Sequence, residues 1–548
     1  MLDQFFQLIS NTFVLGARFV VPALSILFLL LCVKGLFKFG KRPCVGRLVG
    51  TDGQLDYDIT AAESTVGRSK ICDVRINIGS VSRRGAVITY NEEYGFKITV
   101  TGSNEVFVND VPVDGFAYLE MNDRIRIGGV EFRLLPGVSR DIESSRRVKK
   151  KPVGTALLLT AIQVIILLEL LFHYQVDIAA QIPVVFLALI AGEWLYFLFR
   201  RFRGNIQIEM IGFYLTTFGL AVAASSLPES VLKQFVSAAL GMIVFIISGL
   251  LFKNIDLTMK LRPFVAGGAV LLLLYNIFFG IQLNGAKNWI AIGTITIQPS
   301  ELIKYAFIFV GAATLERLIS KKNSLFFIGF SAICGGALCL MRDFGTALIY
   351  FATMLIILYM CSGDVKLIAG FTALAAVAAV VIIRFVPYVA NRFSAYRHAW
   401  DFAADKGYQQ TRTMMAIGSG GFFGMGAGEG NLDTVAAADT DLVFGILCEE
   451  FGLICALCVI SCFVIFAIYA LRCTPRTNSA FFSIAACATA GLFLVQISLN
   501  IFGSTDLLPL TGVTMPFVSN GGSSMVASWA LLSFIKAVGD RTLKEETQ

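Results

Sequence analysis

Residues 407–452 read GYQQTRTMMAIGSGGFFGMGAGEGNLDTVAAADTDLVFGILCEEFG. This glycine-rich, polar stretch runs directly into an apolar segment that continues to about residue 471, long enough to cross a bilayer. An acidic pair, Asp439 and Asp441, stands immediately before the apolar segment. Because a carboxylate at the lip of a membrane is costly and usually functional, the stretch predicts a site at the mouth of a membrane-spanning helix.

Composition predicts the same class of protein. The chain has 548 residues, of which 56% are hydrophobic and 15% charged, and its mean hydropathy is +0.73. Soluble proteins carry about 25% charged residues, so we expect a polytopic membrane protein. The net charge of +7 lies in short basic clusters between apolar runs, where it sets topology, so nucleic acid is not an expected partner. The 12 cysteines and 2 histidines show no zinc spacing, and we expect reduced thiols.

Apolar runs of spanning length predict about thirteen transmembrane helices. They lie at roughly 12–33, 155–174, 181–199, 208–226, 231–252, 263–282, 301–319, 325–341, 346–361, 366–386, 443–471, 481–502 and 522–538. The first run lacks a small-residue cleavage site and is followed by its positive charges, so residues 1–40 are interpreted as a membrane anchor. The basic clusters place residues 40–152 and the C-terminal tail inside the cell. They place the N-terminus and the segments 283–300, 387–442 and 503–521 outside it.

Residues 45–136 alternate apolar and polar side chains in short runs, which predicts an all-β sandwich of about 90 residues. Within it, VGRSKICDVRIN, VSRRGAVI and SNEVFVND follow one another and resemble the forkhead-associated (FHA) family, whose members bind phosphothreonine peptides. The phosphate-side residues that this resemblance implies are Arg68, Ser82, Arg83 and Asn104. A guanidinium fork with a hydroxyl group matches phosphate oxygens.

Two positions of this region depart from the FHA pattern, since Gly85 stands in place of its His and Glu105 in place of a Gly. A sandwich that only packs or docks, without binding phosphate, is the alternative. The segment 137–152 ends in the basic SSRRVKKKP, which predicts a linker held against anionic lipid headgroups.

Four further blocks lie in order between residues 280 and 540. They are NGAKNWIAIGTITIQPSELIKYAFI (284–308), RDFGTALIY (342–350), the segment 391–452 that begins NRFSAYRHAWD, and LLPLTGVTMPFVSNGGSS (507–524). Their order and spacing resemble the SEDS glycosyltransferases (RodA, FtsW and SpoVE), which polymerise peptidoglycan from the lipid-linked disaccharide lipid II. The resemblance implies an α-helical polytopic glycosyltransferase domain over residues 153–540, whose last ten spans match the family's ten. Several residues differ from the family pattern: Ala436, Ala437, Ala438 and Asp439 stand where Pro-Glu-x-His is usual, Asn520 where Tyr is usual, and Arg412 where Gln is common.

The reaction that the resemblance implies joins the 4-hydroxyl of one lipid-linked disaccharide to the anomeric carbon of another. By position Asp441 is the catalytic aspartate, and we expect it to act as general base with a pKa raised by partial desolvation. Asp439 is expected to cap the following helix. The residues implied to bind substrate are Trp289, Gln298, Glu301, Lys304, Asp343, Arg392, Gln409, Glu449, Ser519 and Ser523.

Three of these assignments have an alternative. Lys304 lies three residues after Glu301, so the two also suit an intrahelical ion pair. Trp289 also suits the aromatic belt of a membrane interface. The glycines of SGGFFGMGAGEG either cradle a phosphate or form a tight or flexible turn.

The resemblance also implies partners and a compartment. A multi-pass protein of the bacterial plasma membrane is expected, with the FHA sandwich cytoplasmic and the active site extracytoplasmic. Its partners would be lipid II, the growing glycan strand, membrane lipids, a class B penicillin-binding protein and a phosphothreonine-containing protein. Carboxylates beside a pyrophosphate suit Mg²⁺ or Mn²⁺, although no spacing establishes a metal site. Elongation, division and sporulation all fit, and a lipid II flippase or a phosphopeptide-binding scaffold are the alternative functions.

Overall fold

The computed structural model of the chain describes residues 2–37, 45–51, 55–59, 63–69, 72–83, 85–91, 95–102, 105–137, 152–174, 180–202, 205–283, 286–293, 295–315, 321–474, 477 and 479–545. It divides into two compact units. The first is helical and comprises Met1–Lys38, Lys151–Leu471 and Ala480–Gly539. The second contains Phe39–Lys150 and is built on β-sheets.

Long helices form the first unit. They are α1 (Leu2–Leu36), α2 (Val153–His173), α3 (Gln181–Phe199), α4 (Gln207–Ser226), α5 (Val231–Leu251), α6 (Ile255–Phe279), α7 (Pro299–Leu315), α8 (Lys321–Leu340), α9 (Phe344–Ser362), α10 (Val365–Phe385), α11 (Pro387–Ala395), α12 (Tyr408–Gly420), α13 (Ala438–Asp441), α14 (Val443–Cys473), α15 (Ala480–Ser504) and α16 (Gly522–Glu545). Strands β12 (Ile281–Leu283), β13 (Ala286–Ile292) and β14 (Ile295–Ile297) form a small antiparallel sheet between α6 and α7.

Within the described part of the chain, twelve helices are long and apolar enough to cross a membrane. Each coincides with a run predicted from the sequence. The one remaining predicted run, at 301–319, corresponds to α7. This helix has 17 residues and is therefore about 25 Å long. A polytopic helical protein is confirmed, and the total of thirteen spans stays a prediction.

Burial within the unit does not follow hydropathy. The central helix α4 has a mean hydropathy of 1.4 and its spanning window is 100% buried, whereas α10 has 2.3 and is 0% buried. Small residues let α4 approach its neighbours. At Gly219 a Cβ atom would lie 2.2 Å from the carbonyl oxygen of Phe517, so only glycine fits. The more hydrophobic α10 has no buried residue.

A break in α14 shapes the site region. Gly452 has φ 80° and ψ 164°, which interrupts the helical hydrogen bonding inside an apolar span. The glycine-rich loop that follows α12 restores it. Leu453 and Ile454 donate backbone N–H groups to the carbonyls of residues 421 and 422, at 3.0 and 3.2 Å. In return the amides of residues 425 and 426 donate to the carbonyls of Glu449 and Glu450 at 2.8 and 2.9 Å. Irregular backbone at membrane depth persists only where such partners exist.

The glycines of this loop allow its backbone to approach the backbone of α14 closely. A Cβ at Gly420 would lie 1.9 Å from the carbonyl oxygen of Cys448, and one at Gly424 would lie 2.1 Å from that of Glu450. The amides at 424–426 are bonded to protein carbonyls and not turned toward a ligand. The phosphate-cradle interpretation of these glycines is therefore wrong, and the tight-turn alternative is confirmed.

The helices α1 and α2 contact this same loop. Phe19 of α1 packs its ring 4.8 Å from that of Phe423, and His173 Nδ1 of α2 lies 3.0 Å from Glu429 Oε1. A Cβ at Gly428 would lie 2.9 Å from the His173 ring. The helices α1 and α2 therefore support the loop whose backbone groups form hydrogen bonds with α14 at its break.

The second unit is a sandwich of two antiparallel sheets, as predicted. Its strands are β1 (Gly46–Gly50), β2 (Asp56–Ile59), β3 (Glu63–Gly67), β4 (Val74–Arg75), β5 (Ala86–Asn91), β6 (Gly95–Val100), β7 (Val106–Val108), β8 (Val111–Pro112), β9 (Phe116–Leu119), β10 (Arg124–Ile127) and β11 (Val130–Pro136). One sheet has the order β2-β1-β11-β10-β7-β8 and the other β4-β3-β5-β6-β9, the short β4 joining in parallel. Gly128 and Gly129, both with positive φ, form the predicted β10–β11 hairpin turn. Buried Ile88, Ile98 and Phe132 contribute to the core between the sheets.

Candidate functional site

A cavity of about 810 Å³ lies in the helical unit and combines two kinds of lining. Its apolar lining comes from α8, α9 and α10, including Leu348, Phe351 and Ile382. Its polar lining comes from β13, the residue before α7, the turn between α8 and α9, α11, the end of α13 and the segment 508–524. The polar and charged side chains among them are Asn288, Gln298, Arg342, Asp343, Arg392, Thr440, Asp441, Thr511, Thr514, Asn520, Ser523 and Ser524. An amphiphilic ligand with a polar head and an apolar chain suits such a cavity.

Asp441 lies at the polar side of this cavity, as the last residue of the short helix α13. Burial raises the pKa of Asp441 to about 6, while a hydrogen bond from Thr440 and the guanidinium of Arg392 lower it. The neighbouring carboxylates of Asp439 and Asp343 raise it further. A carboxylate with this pKa is mostly ionised at neutral pH and still basic enough to accept a proton.

Arg392 brings a cation to the same place. Its Nη1 donates to the carbonyl of Leu510 at 2.6 Å, which fixes the guanidinium against the segment that faces Asp441. Gly512, with φ +66°, lies between the two groups. A Cβ there would be 3.2 Å from Asp441 Oδ2 and 3.7 Å from Arg392 Nη1, so glycine keeps the space between the carboxylate and the guanidinium open.

Asp343 accepts hydrogen bonds from several residues on the neighbouring side of the cavity. Its Oδ1 accepts from the amide of Thr346 at 3.2 Å and so caps α9, while its Oδ2 accepts from Asn288 Nδ2 at 2.8 Å. Gln298 Nε2 also lies 3.4 Å from Oδ2. Ser523 Oγ accepts from the backbone amide of Gln298 at 3.0 Å. The structure thus brings the predicted Gln298, Asp343 and Ser523 together with Asn288, which the sequence did not predict, and the predicted Trp289 lines the same cavity.

Lys304 and Glu301 lie elsewhere. Lys304 Nζ contacts Glu301 Oε1 at 2.7 Å and Gln496 Oε1 at 3.0 Å, and the two charged residues are only 1% and 4% exposed. Among the described residues, those lining the cavity do not include either. The substrate contact predicted for these two residues stays a prediction. The intrahelical pair is confirmed.

Gln409, Glu449 and Ser519 are also absent from the described lining of that cavity. Each instead binds the backbone of the segment 432–440, which leads to Asp441. Gln409 Nε2 donates to the carbonyl of residue 436 at 2.8 Å, and Glu449 Oε2 accepts from the amide of residue 432 at 3.0 Å. Ser519 Oγ donates to the carbonyl of Thr440 at 2.6 Å. The three side chains therefore support the backbone of the segment that ends in Asp441, and their predicted substrate contact stays a prediction.

The capping role expected for Asp439 is wrong. The apolar helix α14 begins at Val443, and Asp439 lies four positions before it, inside α13, so it is not at the N-cap position of α14. Asp439 Oδ2 accepts instead from Asn520 Nδ2 at 2.9 Å, and the same amide nitrogen lies 2.8 Å from Ser230 Oγ. Two of the residues that differ from the SEDS pattern, Asp439 and Asn520, therefore contact each other.

In the sandwich, two loops carry the predicted phosphate-side residues. The amides of Arg68 and Ser69 donate to the carbonyls of Ser82 and Arg83, at 2.9 and 3.0 Å, which joins the two loops. Both arginine side chains are exposed. The predicted Asn104 lies outside the described residues. A Cβ at Gly85 would meet its nearest neighbour at 3.5 Å, an ordinary contact, so the missing side chain leaves no strain.

No group of three or more His, Cys, Asp or Glu residues that could hold a metal occurs in the described ranges. The expected Mg²⁺ or Mn²⁺ stays a prediction.

Comparison with known proteins gives two family matches. The model of the FtsW/RodA/SpoVE family, described as a cell cycle protein, matches residues 210–543, and the FHA domain model matches residues 64–128. The helices α1, α2 and α3 precede the first of these matches.

Individual relatives agree with the family match. The "Probable peptidoglycan glycosyltransferase FtsW" of Nitrosococcus halophilus is 30% identical over 290 residues, which is 51% of this chain and 75% of that protein. Its counterpart in Nitrosomonas europaea is 33% identical over 276 residues, 48% of this chain and 71% of that protein. A solved chain from work on a peptidoglycan synthase complex superposes with a TM-score of 0.52 at 21% identity. It covers 62% of this chain and 98% of its own length, and shows the shared fold.

Proposed function

The chain belongs to the FtsW/RodA/SpoVE family of cell cycle proteins, and on that basis we propose that it is a peptidoglycan glycosyltransferase. It transfers disaccharide units from lipid II to a growing glycan strand. The observation that carries the proposal is one cavity in which Asp441 and Arg392 lie beside an apolar wall. A lipid-linked sugar needs both kinds of surface.

The geometry supports a direct displacement. Asp441 accepts the proton of the acceptor's 4-hydroxyl, whose oxygen attacks the anomeric carbon of the donor. The bond from that carbon to the pyrophosphate oxygen breaks, and polyprenyl pyrophosphate leaves with the electron pair. Arg392, held by the Leu510 carbonyl, stabilises the negative charge on the leaving group. Asn288, Gln298 and Asp343 line the same cavity and orient the sugars by hydrogen bonds.

Purified protein tests this proposal against the flippase alternative. Incubation with lipid II should yield glycan polymer, resolved by gel electrophoresis, without added nucleotide. Scrambling of lipid II across vesicles with no polymer formed would instead favour transport. A single-span class B penicillin-binding protein is the transpeptidase partner, and co-purification from membranes tests it.

The basic clusters support an extracytoplasmic site and a cytoplasmic sandwich. A cysteine introduced at Ala404, which is exposed in the segment 387–442, should react with an impermeant maleimide in intact cells. A cysteine at Asp114, exposed in the sandwich, should react only after the membrane is permeabilised. The unsubstituted chain gives the background of its own thiols. Labelling of the Asp114→Cys protein from outside would reverse the topology.

The sandwich binds phosphothreonine peptides through the two joined loops. A phosphate group adds about −1.5 to −2 charges and three acceptor oxygens, which Arg68, Ser82 and Arg83 meet by charge-assisted hydrogen bonds. The site then connects cytoplasmic phosphorylation to wall synthesis.

Arg68→Ala should weaken binding of a phosphothreonine peptide by about tenfold or more, because a hydrogen bond to a charged group is worth about 1.5–3 kcal/mol. Calorimetry of the full chain in nanodiscs against a phosphothreonine peptide library measures this. Arg133→Ala removes the same charge from an exposed position on β11 and should bind like the unsubstituted protein. Equal binding of phosphorylated and unphosphorylated peptides by the unsubstituted chain would leave the sandwich as a docking domain only.

A further inference from the structure

The helix α13 that carries Asp441 is only four residues long. The last carbonyls of a helix have no partner inside it, so they must be satisfied from outside. Three consecutive carbonyls here accept hydrogen bonds from the segment 500–520. The donors are the backbone amide of Asn520 to Asp439 at 2.9 Å, Ser519 Oγ to Thr440 at 2.6 Å, and Asn500 Nδ2 to Asp441 at 3.0 Å.

Asn500 makes the contact closest to the carboxylate. It is 2% exposed on α15, and its Nδ2 donates both to the carbonyl of Asp441 and to that of Val513 at 2.7 Å. Val513 follows Gly512, the residue facing Asp441 Oδ2. One amide group thus joins the backbone of Asp441 to the segment opposite its side chain.

Ser519 adds a second connection of the same kind. It is 2% exposed, its hydroxyl donates to the Thr440 carbonyl, and its oxygen accepts from the amide of Met515 at 2.8 Å. The serine therefore links the residue before Asp441 to the loop 509–519. Neither Asn500 nor Ser519 appears among the described residues that line the cavity, so they act on the site through the backbone.

We propose that Asn500 and Ser519 are positioning residues for Asp441, holding its backbone so that the carboxylate faces the cavity beside Gly512 and Arg392. The inference rests on the proposed function, in which Asp441 is the general base. A displacement of about 1 Å in a catalytic group costs on the order of 10²-fold in rate. Loss of either connection should therefore lower kcat more than it changes KM.

The tests are Asn500→Leu and Ser519→Ala in the full-length protein, assayed with lipid II across pH. Each should lower kcat by about 10- to 10²-fold with KM nearly unchanged. Each should also move the acidic midpoint of the rate profile below about 6, because a displaced Asp441 gains water and burial is the main cause of its raised pKa. Ser519→Thr retains the hydroxyl and should keep the midpoint of the unsubstituted protein.

Asn276→Leu is the matched control. Asn276 is an equally buried asparagine on α6, and its Nδ2 donates to Met341 Sδ at 3.2 Å, away from residues 439–441. Its substitution should leave the midpoint in place whatever it does to stability. An unmoved midpoint in both Asn500→Leu and Ser519→Ala, or an equal shift in Asn276→Leu, would overturn the positioning role.

Asp441→Asn separates failure of this inference from failure of the proposed function. If Asp441→Asn polymerises normally, Asp441 is not the base and the proposed mechanism fails. If Asp441→Asn is inactive while Asn500→Leu and Ser519→Ala keep the rate and midpoint of the unsubstituted protein, the mechanism stands and only the positioning role is lost. If Asn500→Leu does not fold, Ser519→Ala with Ser519→Thr as its partner still decides the question.

Discussion

Asp441→Asn should lower the rate of glycan polymerisation by about 10²–10⁴-fold, the usual effect of losing a general base. The amide has nearly the same shape as the carboxylate but cannot accept the acceptor's proton. The contacts that hold residues 439–441 use their backbone carbonyls, which the substitution leaves intact. The variant should therefore accumulate in the membrane and unfold at the temperature of the unsubstituted protein.

The measurement is polymer formed from lipid II by equal amounts of purified protein. Asp433→Asn is a matched control, because Asp433 is an exposed carboxylate on the same segment, eight positions before Asp441, and is not part of the described cavity lining. It should be as active as the unsubstituted chain. Near-normal polymer from Asp441→Asn would remove Asp441 from the mechanism.

The pH dependence follows from the same residue. A general base must be deprotonated, and the pKa of Asp441 is raised to about 6, so the rate should rise as pH increases through about 6 and then level off. Arg392 lowers this pKa by its positive charge. Arg392→Gln should therefore move the midpoint to higher pH, in addition to weakening stabilisation of the leaving group.

Gly420→Ala should prevent the protein from reaching a stable fold. The added Cβ would lie 1.9 Å from the carbonyl oxygen of Cys448 and 2.6 Å from Glu449 Cα, and both are backbone atoms of α14 that cannot turn aside. Separating the loop from the broken helix would leave peptide groups at membrane depth without partners, each costing several kcal/mol. We expect little monodisperse protein in detergent and a lower unfolding temperature for what is recovered.

Gly418→Ala is the control for this prediction. It lies two positions earlier in the same helix α12, and among the described residues nothing stands within 4 Å of its Cβ position. Alanine in a helix interior is favoured over glycine by about 0.5–1 kcal/mol, so this variant should be as stable as the unsubstituted chain or more so. A Gly420→Ala protein that unfolds like Gly418→Ala would show that the loop and helix separate without cost.

Local patterns predicted much of this architecture. Apolar runs located the spanning helices, the Gly128-Gly129 pair located a hairpin, and the segment ending in Asp441 reached the cavity with Arg392. The first two depend on residues close together in the chain, whereas Asp441 and Arg392, 49 positions apart, are assigned by the resemblance to the SEDS family. None of these predictions needed knowledge of which helices are neighbours.

Roles that depend on tertiary neighbours were harder to predict. Lys304 was expected at the substrate, but Gln496, 192 positions away, completes a buried pair around it. Ser519 was assigned to the ligand because its hydrogen-bond acceptor is a backbone carbonyl 79 positions earlier. No sequence pattern identifies such an acceptor. Asn500 was missed altogether. The available indication was that Asn500 is one of two side-chain amides, with Gln496, inside the apolar run 481–502, since polar groups in a span are rarely without a bonded partner.

The contacts of α1 and α2 with the loop 421–429 also bear on how such a protein is assembled from parts. These helices lie in sequence on either side of the FHA sandwich, yet Phe19 and His173 meet Phe423 and Glu429 inside the family's own region. A chimera that fuses the FHA sandwich with α1 and α2 to another family member keeps these contacts only if residues 421–429 are transferred as well. The loop 421–429 is therefore structurally tied to α1 and α2 as well as to the family's own region, and the loop and these helices must be exchanged, or evolve, together.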